Sequence, residues 1–305
     1  MDRLPKHIGM QGHVRRRDFI GTGLALAGAA ALRPVSPLIA AGVMEGTKAT
    51  WLSHYTYVAP DLAKTRDWYH EVFGMQIGRQ DEREAHLWYG DEGGDTLMIV
   101  RQAEAGEKSP RVERCGFVLD NWDGDAVGAE LRRRGLRPRP DTDLGFWFND
   151  PDGNEIGVFS RDHVTRPSAA PEAAHLWETL SANHIVVTSN DYRKLGVWYR
   201  DLFELRETID TGRDVYQWFG DSVWIPTAVA EGTQTSFELK TLDHVAYTIA
   251  DYDSGEVEAE LRRRKLIEPE ADVTGSLGIN CVDINGFKTQ VCDKNLVPDA
   301  EGQRG

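Results

Sequence analysis

Glu130-Leu131-Arg132-Arg133-Arg134 recurs letter for letter as Glu260-Leu261-Arg262-Arg263-Arg264, 130 positions further along a 305-residue chain. Trp68-Tyr69 recurs as Trp198-Tyr199, and His54 as His184, at the same offset. Leu144-Gly145 and Gly153 recur as Leu277-Gly278 and Gly286 at an offset of 133, so one loop of the second copy holds three extra residues. Landmarks of unrelated types at one spacing mark an internal duplication, which sets the frame for every other reading.

Each copy divides again into two similar pieces. The first opens with a short strand, His54 to Val58 or His184 to Thr188, followed by a helix with Asp61 or Asp191 at its N-cap. In the second copy Leu195, Trp198, Tyr199, Leu202 and Phe203 fall on one helical stripe. Gly74 closes the matching helix of the first copy as a left-handed cap. Short alternating strands follow, such as Ala85 to Tyr89 and Thr96 to Val100. The later pieces have strands Arg114 to Leu119 and His244 to Ile249, helices from Asp123 and Asp253, and a final hairpin. In the first copy that hairpin turns at Asp150-Pro151-Asp152-Gly153-Asn154. The implied class is α+β, with four βαβββ modules in two tandem cup-shaped domains at 50–162 and 178–296. Residues 163–177, with Pro167 and Pro171, read as the linker.

Strand alternation orients the histidines. In His244-Val245-Ala246-Tyr247-Thr248-Ile249, the large apolar Val245, Tyr247 and Ile249 share the face expected to pack on helices. His244, Ala246 and Thr248 share the other, open face. His184, Val186 and Thr188 likewise oppose Ile185 and Val187. Both histidines are expected to open strands whose cup faces converge.

Composition limits the partners. Apolar residues make up 40% and charged residues 28% of the chain, as in a soluble globular protein. The net charge of −14 argues against nucleic acid as a partner, and the two arginine triplets read as solvated helix faces flanked by acids. Arg15-Arg16-Arg17-Asp18-Phe19-Ile20 followed by a Gly/Ala/Leu run reads as a twin-arginine signal over 1–41. Cleavage after it would take the net charge from −14 to −18 by removing six basic and two acidic residues. The expected product is exported to the periplasm or outside the cell, without a membrane anchor. Cys115, Cys281 and Cys292 do not form a disulfide framework.

The opening histidines, the Trp-Tyr helix and the Asp-Pro-Asp-Gly-Asn turn together resemble the vicinal oxygen chelate superfamily of glyoxalases, fosfomycin and bleomycin resistance proteins and type I extradiol dioxygenases. A tandem pair that keeps its site only in the C-terminal copy is most similar to the extradiol dioxygenases. That resemblance implies three ligand positions, filled by His184, His244 and Gln290 in the second copy and by His54, Arg114 and Gly157 in the first. Arginine and glycine are no ligands, so the first site is expected to be dead, with Arg114 a charge facing the cup or a holder of an anionic ligand. Two imidazoles and a carboxylate suit non-haem iron; Gln290 departs from that pattern, and Asn280 stands where extradiol enzymes carry a tyrosine. The histidine expected between Glu268 and Gly278 is missing too. Cys292, two residues past Gln290, offers a soft ligand. The resemblance thus implies a divalent metal, Fe(II) first and Mn(II) or Zn(II) next, acting on a small catechol-type substrate. No catalytic residue is assigned, and a homo-oligomer is left open. The alternatives are a metal-free binding protein, its pocket built from Phe146, Trp147, Trp218 and Trp224, and a glyoxalase-like lyase or isomerase.

Overall fold

The computed structural model describes residues 47–91, 94–168, 174–219, 227–231, 242–267 and 278–294. The signal-like stretch 1–41, Trp224, Ala169 to Pro171 and most of the segment from Glu268 to Gly278 lie outside them. Among the described residues no helix is long and apolar enough to cross a membrane.

The first copy runs β1 (Ala49–Ala59), α1 (Leu62–Phe73), β2 (Gln76–Gln80), β3 (Glu84–Asp91), β4 (Gly94–Gln102), then β5 (Arg111–Leu119), α2 (Gly124–Arg133), β6 (Arg139–Pro140), β7 (Gly145–Asn149) and β8 (Glu155–Phe159). The second runs β9 (Thr179–Ser189), α3 (Tyr192–Phe203), β10 (Arg206–Asp210), β11 (Asp214–Trp218), β12 (Thr227–Glu231), then β13 (His244–Ile249), α4 (Ser254–Arg263), β14 (Gly278–Val282) and β15 (Lys288–Cys292). Three βαβββ modules are thus visible in full. In the fourth, the stretch where the strand after α4 belongs lies outside the described residues.

The two sheets share one order, β2-β3-β4-β1-β5-β8-β7-β6 and β10-β11-β12-β9-β13-β15-β14. In each, the opening strands of the two modules pair antiparallel at the centre, β1 with β5 and β9 with β13. Each pairs parallel on its outer side with the last strand of its own module.

Caps follow the sequence signals. The carboxylates of Asp61, Asp123, Asp191 and Asp253 each accept the backbone N–H three residues on, satisfying a donor that has no partner within the helix. Gly74 ends α1 at φ 63°. The arginine triplets do more than solvate a face: Arg133 and Arg134 both donate to Glu130, and Arg263 and Arg264 to Glu260.

One expectation needs correction. His54 and His184 do not open their strands; they sit in the middle of β1 and β9. A β-bulge precedes each, because the register steps from Leu52 to His54 and from Ala182 to His184, leaving Ser53 and Asn183 unopposed. A bulge inverts the in/out alternation, so the residues before it carry no period continuous with those after it. His244 does open β13.

The helix-facing sides of both sheets contribute to one core, which includes Ile185, Val187, Val245, Tyr247 and Ile249 as the alternation implied. Buried polar ties join the copies crosswise. Tyr199 of α3 donates to Asp150 at the turn between β7 and β8 (3.0 Å), and Tyr69 of α1 donates to Asp283 at the turn between β14 and β15 (3.1 Å). Tyr57 also donates to Asp283, and the hydroxyls of Tyr55 and Tyr247 meet at 2.8 Å. The first module thereby packs against the fourth, and the second against the third.

Candidate functional site

In the second sheet, His184, Ala246, Gln290 and Asn280 form one continuous row across β9, β13, β15 and β14. His244 lies two residues before Ala246, on the same face, and its ring sits edge-on to His184 with centroids 5.4 Å apart. The topology therefore brings His184, His244 and Gln290 to one patch. Asn280, exposed, flanks Gln290.

Each imidazole is held by the residue before it. Asn183, the bulge residue, turns its Oδ1 to His184 Nδ1 (2.7 Å) and its amide to Thr248 Oγ1 (3.1 Å). Asp243 Oδ2 accepts from His244 Nδ1 (2.9 Å), and its other oxygen accepts from Lys288 Nζ (2.9 Å). Since both acceptors take an Nδ1–H, the Nε2 lone pair of each ring is left for the cup, the arrangement in which histidine serves as a metal ligand. Burial, and then the nearby His244, hold the His184 pKa well below its ordinary value, so this ring is neutral. Burial pushes Asp243 up, but hydrogen bonds from His244 and Lys288 outweigh it and hold the carboxyl at about 2. Gln290 is buried, its amide 3.4 Å from Gly278 O.

The corresponding row of the first sheet is His54, Gly116, Gly157 and Trp147. Its cup is filled. The Phe159 ring lies over three glycines, and a Cβ on Gly116, Gly145 or Gly157 would collide with it. His54 packs edge-on against Phe159 (4.6 Å) and Trp147 (5.4 Å) and stacks with His163 (5.4 Å). Arg114 covers Trp147 at 4.5 Å, bonds Thr56 Oγ1 at 3.3 Å and lies 3.8 Å from Glu155. His54 is a packed structural histidine. Its pKa is lowered by burial first, then by His163, Arg114 and His86.

Position for position, Phe159 corresponds to Cys292, Trp147 to Asn280 and Gly116 to Ala246. Replacing two aromatic rings by a thiol and an amide leaves the second cup without its plug. Cys292, two residues past Gln290, is buried against Trp218 and Ala246. Among the described residues no group of three or more His, Cys, Asp or Glu side chains converges on a point. Cys281 packs on the opposite, core side of the sheet, and all three thiols are free. Of the aromatic residues, Phe146 packs toward the core, whereas Trp147 and Trp218 lie on the cup sides.

A metal's fit here rests on the donor set and on one orphaned atom. Two imidazole nitrogens and a carboxamide oxygen suit Fe(II), Mn(II), Co(II) or Zn(II) better than Mg(II) or Ca(II), which prefer oxygen cages. On the cup side of β11, Trp218 is 4% exposed and its indole Nε1 has no hydrogen-bond partner among the described residues. A buried donor without an acceptor is costly, and a ligand oxygen beside the histidines would satisfy it. The residues fit the group.

The sequence reading missed Asn183, Asp243, Lys288 and Phe159. The signal for the first two was adjacency, since Ser53, Asn183 and Asp243 each directly precede a cup residue or its histidine.

Residues 51–158 match the family model of the Glyoxalase/Bleomycin resistance protein/Dioxygenase superfamily. No curated protein matches the sequence. Among solved structures, the fold is similar to the Mn(II)-bound glyoxalase from Novosphingobium aromaticivorans, at 18% identity and a TM-score of 0.62, covering 81% of this chain and 83% of that one. It is equally similar to catechol 2,3-dioxygenase (17% identity, TM-score 0.62, 81% and 88% covered). Homoprotocatechuate 2,3-dioxygenase from Brevibacterium fuscum, in an anaerobic complex with 3,4-dihydroxyphenylacetate, also matches (17%, 0.62, 82% of each chain). At these identities the likeness is one of fold. The N-terminal copy thus matches the Glyoxalase/Bleomycin resistance protein/Dioxygenase superfamily model over residues 51–158, and the two sheets together have a fold similar to that of the extradiol dioxygenases.

Proposed function

We propose that the second cup binds a divalent metal through His184, His244 and Gln290 and acts on a small substrate with two adjacent oxygens, in the manner of an extradiol dioxygenase. The observation that carries this reading is the pair of imidazoles, each anchored through Nδ1 with Nε2 left toward the same cup. The likeness in fold to a Mn(II)-bound glyoxalase and to catechol dioxygenases supports it. When bound, the ion would supply a Lewis acid that holds and polarises the substrate oxygens. The chain's own part is to keep His184 neutral by burial, to hold both rings, and to offer the Trp218 N–H to an oxygen of the substrate. The reading includes export, with 1–41 as a twin-arginine signal, and domains at 50–162 and 178–296.

Gln290 favours a second reading within the same site. A neutral carboxamide leaves the ion its full charge, which suits polarisation of a carbonyl in a glyoxalase-like lyase or isomerase as well as oxygen chemistry.

The test is metal analysis of the purified protein beside a His184→Ala/His244→Ala double variant, followed by oxygen uptake on a panel of catechols. About one ion per chain in the parent and none in the variant is the expected outcome. Metal without oxygen uptake selects the lyase or isomerase. No metal after anaerobic loading with Fe(II), Mn(II) or Zn(II) overturns both readings in favour of a metal-free binding protein.

A further inference from the structure

We propose that Asp243 supplies, through the His244 imidazole, the negative charge that Gln290 does not bring to the metal site. The inference rests on the metal reading above and goes beyond it, because it assigns a positioning residue and explains how a site with three neutral donors holds a dication.

Three observations carry it. First, among the Nδ1 partners of the cup histidines, Ser53, Asn183 and Asp243, only Asp243 is a carboxylate. A carboxylate on Nδ1 fixes the tautomer and makes the far nitrogen a stronger donor, so its charge reaches the ion through the ring. Second, both Asp243 oxygens are directed. Oδ2 faces His244 and Oδ1 faces Lys288, while the Asp243 backbone N–H is anchored on Val186 O at 2.8 Å. Third, the equivalent residue of the plugged cup behaves differently. Glu113 turns away to Arg101 and Arg111, beside an Arg114 that cannot be a ligand. The inward carboxylate occurs only in the copy that keeps two histidines.

Lys288 adds a handle. It lies two residues before Gln290 on β15, is 68% exposed at its side chain and partly neutralises Asp243. If the carboxylate acts by its charge, removing the ammonium strengthens the site. If Asp243 only orients the ring, removing the ammonium does nothing, because the His244 hydrogen bond uses the other oxygen.

The experiment is competition of the full chain with a chromogenic chelator for Zn(II) and for Mn(II), each metal used alone at low ionic strength. Asp243→Asn keeps an acceptor for His244 but loses the charge, and is expected to weaken binding about 10- to 100-fold. Gln290→Glu is expected to tighten the parent and to recover most of the loss in an Asp243→Asn background. Lys288→Met is expected to tighten binding by a few-fold. Parent-like affinity of Asp243→Asn, with metal still lost in the His184→Ala/His244→Ala variant, would overturn the proposal while leaving the metal site standing. Unchanged affinity in Lys288→Met would likewise reduce Asp243 to an orienting group, and this variant stays informative if Asp243→Asn fails to fold. A parent that binds neither ion overturns the metal reading itself, and the proposal with it.

Discussion

The Tyr199 hydroxyl reaches from α3 of one copy to the Asp150 carboxylate at a turn of the other, 3.0 Å away, and Tyr69 repeats the contact with Asp283 at 3.1 Å. Both tyrosines come from the Trp-Tyr helices and both aspartates from the final hairpin turns. The motifs that carry the family resemblance therefore meet each other across the duplication. Burial raises the pKa of both aspartates and both tyrosines, with the donated hydrogen bonds opposing that rise for the carboxyls.

Removing one such donor leaves a buried carboxylate short of a partner. Tyr199→Phe is expected to destabilise the protein by about 1–3 kcal/mol, read as a lower urea midpoint at unchanged slope. Metal affinity should not move. Tyr69→Phe should cost about as much, because Asp283 and Asp150 each keep one other side-chain donor and two backbone donors.

The plug of the first cup should reveal itself in two opposite substitutions. Phe159→Ala empties the space over Gly116, Gly145 and Gly157 and is expected to cost about 3–5 kcal/mol. Gly157→Ala overfills it, at about 1–3 kcal/mol. Neither should create a second metal site, since Arg114 still covers Trp147. Thermal unfolding beside metal stoichiometry checks both.

Removing the indole N–H tests the ligand side of the second cup. Trp218→Phe deletes a donor with no partner among the described residues, so the melting temperature should change by no more than a few degrees. Affinity for an oxygen-chelating ligand should fall about tenfold or more. Equal affinity in calorimetry would detach Trp218 from the substrate.

The arginine-clamped glutamates predict an acid response. Glu130 and Glu260 sit at about 2, first because of the hydrogen bonds from Arg133 and Arg263. A folded pKa below the unfolded one gives stability that is present above the unfolded value, about 4.5, and lost as pH falls through the folded value. Glu130→Gln should therefore lower stability at neutral pH and flatten its decline between those limits, measured by melting temperature against pH.

Much of the fold was legible because its signals are local. The four N-cap aspartates, the Gly74 cap and the period-two faces of β9 and β13 involve residues within a few positions of one another. The common offset of 130 carried that local reading from one copy to the other. The grouping of His184, His244 and Gln290 was legible in the same way, once the strands were known to be neighbours.

What the chain alone determined, then, is the module, its duplication and which side of each strand faces the cup. Tertiary structure decided the rest. Only the cross-strand register shows that Ser53 and Asn183 are bulge residues. Only the packing shows that Phe159 fills the space over three glycines that are distant in sequence. Asp243 is adjacent to His244 in the sequence, but its inward turn depends on Lys288, 45 positions away. Periodicity and caps are encoded by near neighbours, whereas the occupancy of a cup is set by side chains that the sheet brings together from strands far apart in sequence.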